Sequence, residues 1–298
     1  MKPLVSVIIP TYNRNDRLCR SVLSVLEQTY DPIEIIIVDD HSDRPATDVI
    51  GDIIAENKIL QTIRHESNQG ANAARNTGIQ AASGDYIAFL DDDDEWHPEK
   101  IDRQISVINS ESNKVSIVYS GIRINRDERT SYKSATAEGD LTKQLLKKNV
   151  VGTFSTILIR SKIVDQAGNL DERFPSWQDK EWYVRLSQHG EFKPINEPLV
   201  TRHMEGSDHL SDDLEQLSKK TQPLFVEKYE SLARSFGWRY YRQWRSMCAQ
   251  NVAGYALRLG HEPVARRYLI ESIKWHPLRY RPYCLLGKSI IGKTRQES

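Results

Sequence analysis

The chain is short of cysteine, has no long apolar run and shows no surplus of either charge, and each shortage removes a class of protein. Cys19, Cys248 and Cys284 lie far apart with no Cys-x-x-Cys pair, so neither a disulfide framework nor a zinc site is indicated, and a reducing cytoplasm fits best. No stretch of roughly 18 apolar residues occurs, so no helix is expected to span a bilayer. The run from Leu4 to Pro10 meets the polar Thr11-Tyr12-Asn13-Arg14 before any small-residue cleavage site, and reads as a buried first strand rather than a signal peptide. With 41 basic residues against 41 acidic ones, the total points to neither nucleic acid nor membrane. That total hides a division. Residues 231–298 hold 13 bases against Glu262, Glu271 and Glu297, which leaves 28 bases against 38 acids in residues 1–230.

What is present is an alternation of strands and helices. Val5 to Ile9 is β-branched and ends at Pro10; Asn15-Asp16 then caps a helical pattern with Leu18, Val22, Val25 and Leu26 on one face. Ile33 to Val38 is nearly all apolar, as in a strand covered on both faces. The pattern continues with a helix over 46–57, a strand over 60–65, a helix over 71–82 closed by Gly84, and a strand over 86–90. This predicts a doubly wound, mostly parallel open α/β sheet, whose ligand sits beyond the carboxyl ends of the strands. No Gly-x-Gly-x-x-Gly follows the first strand and no Gly-Lys-Ser/Thr loop occurs, so dinucleotide and P-loop readings lose their support.

The strand ends carry the polar residues. Asp91, Asp92, Asp93 and Asp94 are four adjacent carboxylates whose mutual repulsion a divalent cation would relieve, and Mg²⁺ or Mn²⁺ takes one or two carboxylates plus phosphate oxygens. A solvated acidic turn capping the helix from Pro98 is the plainer alternative. Arg75 lies within the small-residue stretch Asn68-Gln69-Gly70-Ala71-Asn72-Ala73-Ala74-Arg75-Asn76-Thr77-Gly78, where its guanidinium suits a phosphate; close helix-to-sheet packing explains the small residues equally. Tyr12 offers a ring for base stacking or for the core, and Asp40 an acceptor for a base N–H.

Together Ile9-Pro10-Thr11-Tyr12-Asn13-Arg14, Val38-Asp39-Asp40-His41-Ser42, the stretch from Asn68 to Gly78, and Phe89-Leu90 through Asp94-Glu95-Trp96 resemble the ordered motifs of the family 2 glycosyltransferases. The resemblance runs from about residue 3 to residue 205 and implies a GT-A fold, a nucleotide-sugar donor with UDP as default, a divalent metal, and inversion at the anomeric carbon. It implies that Pro10, Thr11, Tyr12, Asp40 and Arg75 line the nucleotide, that Asp92 lies near the ribose, and that Asp93, with Asp91, binds the metal. Trp177-Gln178-Asp179-Lys180-Glu181-Trp182-Tyr183-Val184-Arg185-Leu186 resembles the family's base motif, with Asp179 as general base and Glu181 as the runner-up. Gln178 stands where the family often has Glu, which raises a second reading, a catalytically silent nucleotide-sugar-binding protein. Arg202-His203-Met204-Glu205-Gly206-Ser207 resembles the family's end motif, with His203 a possible metal or diphosphate contact. Donor and acceptor choice is expected to rest on loops near 120–150, which carry no readable code.

Residues 1–211 therefore read as the catalytic domain and 212–298 as a basic, aromatic-rich helical appendage. In the appendage Trp238, Tyr240, Tyr241 and Trp244 interleave with Arg239, Arg242 and Arg245, a composition suited to an anionic membrane surface or to plain helical packing, with no nucleic-acid module recognisable. The reading is a cytoplasmic enzyme, peripheral at the inner face of the cell membrane, acting on a saccharide or lipid-linked acceptor; a peripheral membrane scaffold is a third class.

Overall fold

The computed structural model describes residues 2–51, 53, 59–111, 114–126, 128–204 and 214–294. The expected alternation is present as β1 (Val5–Thr11), α1 (Asn15–Leu26), β2 (Ile33–Asp39), α2 (Ala46–Ile50), β3 (Ile59–Arg64), α3 (Ala71–Ala81) and β4 (Tyr86–Phe89). Part of the helix expected over 46–57, the side chains of Asn15 and Asp16, and Glu205-Gly206-Ser207 of the end motif lie outside the described residues.

Every residue of β1 and β2 is buried. Two-sided coverage is the reason: Val7, Ile9, Ile35 and Ile37 pack with Leu18, Val22 and Val25 of α1, whereas Ile36 and Val38 meet Ala74 of α3. Gly78 lets α3 lie close on the sheet, since a Cβ there would stand 2.3 Å from Ile8 Cγ2. Strands β3, β2, β1 and β4 run parallel, so Thr11, Asp39 and the residues after Phe89 finish on one rim.

The sheet then changes direction. After β5 (Asp94–Trp96), α4 (Lys100–Ser110), β6 (Val115–Arg126), β7 (Arg129–Lys133), α5 (Thr142–Lys147), β8 (Ile157–Arg160), α6 (Ser161–Ala167), α7 (Gln178–Leu186) and β9 (Glu191–Met204), the order across the sheet is β3-β2-β1-β4-β8-β6-β9-β5, with β7 on β6. Residues 115–126 and 129–133 thus pair as antiparallel strands, whereas loops are expected from about residue 120. Strand β9 is longer than the expected strand at 198–201. Pro194 and Pro198 disguise it, and shifts in its register against β6 around Ser120, Gly121 and Ile122 accommodate Pro198.

The chain forms two compact units. The first comprises Met1–Thr142, Asn149–Glu172 and Glu181–Asp208; the second comprises Lys143–Lys148, Arg173–Lys180 and His209–Ser298. The second unit adds α8 (Leu214–Gln216), α9 (Gln222–Ser235), α10 (Trp238–Arg258), α11 (Glu262–Trp275) and α12 (Tyr280–Thr294). Two short segments that precede residue 212 belong to it. Trp244 Nε1 donates to Leu146 O at 3.1 Å, Tyr240 Oη to Lys143 O at 2.8 Å, and the Trp177 ring meets Phe225 edge-on at 5.5 Å. Part of the basic–aromatic pattern is therefore core: Tyr241 and Trp244 are buried. Among the described residues no helix is long and apolar enough to cross a membrane.

Lys180 is sealed in the second unit. Its Nζ has no hydrogen-bond partner and lies 4.3 Å from the centre of the Trp177 ring and 4.1 Å from that of Phe225. Burial pushes its ammonium down to about 8.

Two consequences can be measured. At Gly84 a Cβ would stand 2.7 Å from Ser6 N and 2.8 Å from Leu4 O, backbone that cannot yield, so Gly84→Ala should lower unfolding stability by about 2–3 kcal/mol in urea melts. Lys180 is charged in both folded and unfolded states below about pH 8, where burial costs the fold roughly 3 kcal/mol before the ring contacts offset part of it. Between about pH 8 and 10.5 the folded state loses the proton first, and the cost fades. Lys180→Met should therefore melt higher than the parent at pH 7, with the gap closing across that window.

Candidate active site

The rim at the ends of β1, β2 and β4 is built by side chains that fix one another. Asp39 is buried; Ser42 N donates to Oδ1 at 2.8 Å, and Ala46 N and Arg64 Nη1 donate to Oδ2 at 3.0 and 2.9 Å. Burial works to raise its pKa, but those donors win and hold the carboxyl below its usual range. Asp40 takes three donors: His65 Nδ1 at 2.7 Å, Gln69 N at 2.8 Å and Gly70 N at 2.7 Å. It thus anchors the loop that leads into α3, and Gly70, with φ of 93°, makes the turn. Nothing local in the sequence marks His65 as part of this site. It is buried, with Nε2 2.9 Å from Thr77 Oγ1, so Thr77 donating there fixes the tautomer that donates to Asp40.

The acidic turn follows β4. Thr11 Oγ1 donates to Asp92 Oδ2 at 2.7 Å, and Arg14 Nη1 reaches Asp92 Oδ1 at 3.1 Å and Asp93 Oδ2 at 3.0 Å. Arg75, buried on α3 with its guanidinium 4.2 Å from the centre of the Phe154 ring, donates to Asp91 Oδ1 at 2.6 Å. Tyr12 leaves 45% of its surface in solvent, so its ring is open to a stacking partner. Pro10 and Thr11 close β1 beside Val38 and Asp39. The structure thus gathers Thr11, Arg75, Asp91, Asp92 and Asp93, and adds Arg14, which the sequence showed only as a cation ending the run after β1.

Three guanidinium groups do not neutralise this turn. Burial pushes Asp92 up to about 6, against the pull of Arg14 and Thr11. Asp93 is raised by burial and by Asp91, with Arg14 and Arg202 opposing. Asp94, at 1% exposure, is raised well above the carboxylate range by burial, Asp91 and Asp93, and its Oδ1 has no hydrogen-bond partner. Among the described residues no three His, Cys, Asp or Glu side chains converge as a metal cage. An orphaned buried oxygen among crowded carboxylates fits a cation held by one or two of them and completed by phosphate oxygens.

His203 Nε2 is 3.0 Å from Glu95 Oε2, and it is Arg202, paired with Asp94 across β5 and β9, whose charge reaches the aspartates. Glu181 is buried with both oxygens held by Arg185 at 2.9 Å, and Arg185 also donates to Ala167 O, so Glu181 braces a helix. Asp179, in the second unit, is half-buried at the start of α7 and accepts from Lys180 N at 2.6 Å. The preceding Trp177 has φ of 57°, a left-handed backbone that a bulky residue adopts at a cost, as is common where a site demands it.

A parallel half-sheet with a carboxylate turn after its fourth strand, continued by a mixed half in which β8 and β5 run antiparallel to their neighbours and β6 runs parallel to β9, defines a GT-A-type α/β enzyme. The chain belongs to glycosyl transferase family 2, whose family model matches residues 6–168. It is a glycosyltransferase. It is 30% identical over 225 residues to the amylovoran biosynthesis glycosyltransferase AmsB of Erwinia amylovora, covering 70% of this chain and 73% of that one. It is 39% identical over 182 residues to the Escherichia coli UDP-Glc:alpha-D-GlcNAc-diphosphoundecaprenol beta-1,3-glucosyltransferase WfaP, covering 61% of this chain and 68% of WfaP. The fold is similar to that of residues 1–349 of Staphylococcus aureus TarS in complex with UDP-GlcNAc, with a TM-score of 0.64, 16% identity, and 98% and 92% of the two chains covered. The chain spans 31% to 67% of the length of three further relatives described as uncharacterized glycosyltransferases.

Because burial and the neighbouring Asp91 both disfavour a charge on Asp93, its neutral isostere relieves the turn. Asp93→Asn should melt higher than the parent at pH 7 in metal-free buffer and should lose any upward shift of melting temperature that Mn²⁺ gives the parent.

Proposed function

We propose that the chain transfers a sugar, with inversion, from a nucleotide-diphosphate donor to an acceptor hydroxyl on a growing glycan or lipid-linked saccharide, with UDP as the default nucleotide. The observation that carries this reading is the carboxylate turn Asp91–Asp94, under-neutralised by Arg14, Arg75 and Arg202 and lying on the same rim as the open Tyr12 ring. Tyr12 stacks on the base, Asp40 positions the loop beside it, and Arg75 supplies positive charge to the diphosphate. Asp93, with Asp91, holds Mn²⁺ or Mg²⁺, which when bound stabilises charge on the departing diphosphate. The AmsB and WfaP names support a role in cell-surface polysaccharide assembly, and the WfaP name supports a UDP-sugar donor and a lipid-diphosphate acceptor.

Asp179 is the general base. It removes the acceptor hydroxyl proton as that oxygen attacks the anomeric carbon, and the locked state of Glu181 supports this choice. The basic second unit contacts an anionic membrane surface at the cytoplasmic face.

Asp179→Asn should lower turnover by about 10³-fold with a competent donor and acceptor, while UDP affinity in Mn²⁺ measured by calorimetry stays within about twofold. An unchanged rate would sink the base assignment. Failure of the parent to turn over a broad panel of donors and acceptors, with UDP still bound, would favour the silent binder that Gln178 suggests.

A further inference from the structure

The second unit carries a cluster of large apolar side chains left in solvent. Leu278 is 93% exposed and Tyr280 78%, in the turn between α11 and α12 and at its edge; Trp238, 60% exposed, opens α10, and Tyr283 is 46% exposed on the first turn of α12. The cluster is held by built contacts. Tyr241 meets Trp238 at 5.6 Å and Trp275 at 5.5 Å between ring centroids, and Arg242 Nε donates to Trp275 O at 2.8 Å, so the start of α10 and the end of α11 are joined. Arg279 N donates to His276 O at 3.2 Å and Tyr283 Oη to Pro277 O at 3.0 Å, which fixes the turn with Leu278 outward.

The charge around this cluster is mainly positive, although Glu230 accepts from Tyr241 Oη at 2.6 Å and Glu271 lies 3.9 Å from Arg245. No acid occurs between Glu230 and Glu262, nor between Glu271 and Glu297, while Arg239, Lys274, Arg281 and Lys288 are exposed. A surface for water would not place leucine and aromatics at its tip, and a neutral apolar partner would gain nothing from the cations. Leucine to insert, tyrosine and tryptophan to sit at headgroup depth, and lysine and arginine to meet phosphates match the layers of an anionic bilayer.

We propose that the α11–α12 turn, with Trp238, is a wedge that enters the surface of an anionic membrane, with Leu278 and Tyr280 inserted and Lys274 and Arg281 on the headgroups. This gives the membrane contact proposed above a specific element, and it is independent of the catalytic assignment.

The test is co-sedimentation of the full chain with phosphatidylcholine vesicles lacking or containing phosphatidylglycerol. Binding is expected only to the anionic vesicles and should weaken as salt is raised. Leu278→Ser with Tyr280→Ser should reduce the partition coefficient at least tenfold, and Lys274→Gln with Arg281→Gln by about 30-fold, from about 1 kcal/mol per charge. Both variants should keep the parent's circular dichroism, UDP affinity and transfer rate to a water-soluble acceptor. Loss of that rate in the parent would count against the catalytic reading alone. Equal binding to neutral and anionic vesicles, no vesicle binding, or anionic binding unaffected by both double variants would overturn the wedge. So would a parent dimer in sedimentation velocity that Leu278→Ser with Tyr280→Ser dissociates, since a second copy would then cover the face.

Discussion

Like-charge crowding at the end of a buried strand is the constraint on which this structure turns. Asp91 to Asp94 cannot spread apart: Asp94 N is bonded to Asp91 O, Ser21 Oγ holds Asp94 O at 2.6 Å, and Asp92 is clamped by Thr11 and Arg14. The partial remedy comes from three separate places in the chain, Arg14 after β1, Arg75 on α3 and Arg202 on β9. Only the doubly wound order, with β1 beside β4 and β9 returning against β5, brings those guanidinium groups to one turn. Burial first, and the neighbouring aspartates after it, keep these carboxyls raised despite the three guanidinium groups, and such a turn is one that a cation and its diphosphate can complete.

The parallel half of the sheet was legible in the sequence for a physical reason. Strands buried on both faces must be apolar throughout, so Val5–Ile9 and Ile33–Val38 declare themselves, and ligand chemistry then collects just after them. The mixed half was not legible. Strand β7 is exposed at every position and has no apolar face to reveal it, and prolines break the pattern of β9. Side-chain pairing was harder still. Arg14, His65 and Arg202 stand in plain view in the sequence, but nothing local states that they meet Asp92, Asp40 and Asp93. Glu181 is the reverse case: in sequence it is a second carboxylate near the expected base, and only its buried pairing with Arg185 gives it a bracing role.

The second unit shows why composition alone divides a chain poorly. Residues 143–148 and 173–180 join it through contacts such as Trp244 with Leu146 and Trp177 with Phe225, which no change in local composition marks. Its aromatics also split into two populations. Tyr241 and Trp244 make core, while Trp238, Tyr280 and Tyr283 remain outside among cations. The neutral total of the sequence is thus a sum over an acidic N-terminal region and a basic helical one, each with its own requirement for a counter-charge.

The central claim is that the carboxylate turn is completed jointly by a divalent cation and a nucleotide diphosphate. Calorimetric titration of UDP with and without Mn²⁺ tests it directly. The account predicts that saturating Mn²⁺ tightens UDP binding at least about tenfold, and by reciprocity that UDP tightens Mn²⁺ equally, within the usual range of coupling between two linked ligands. Equal UDP affinity in the presence and absence of Mn²⁺ would contradict it.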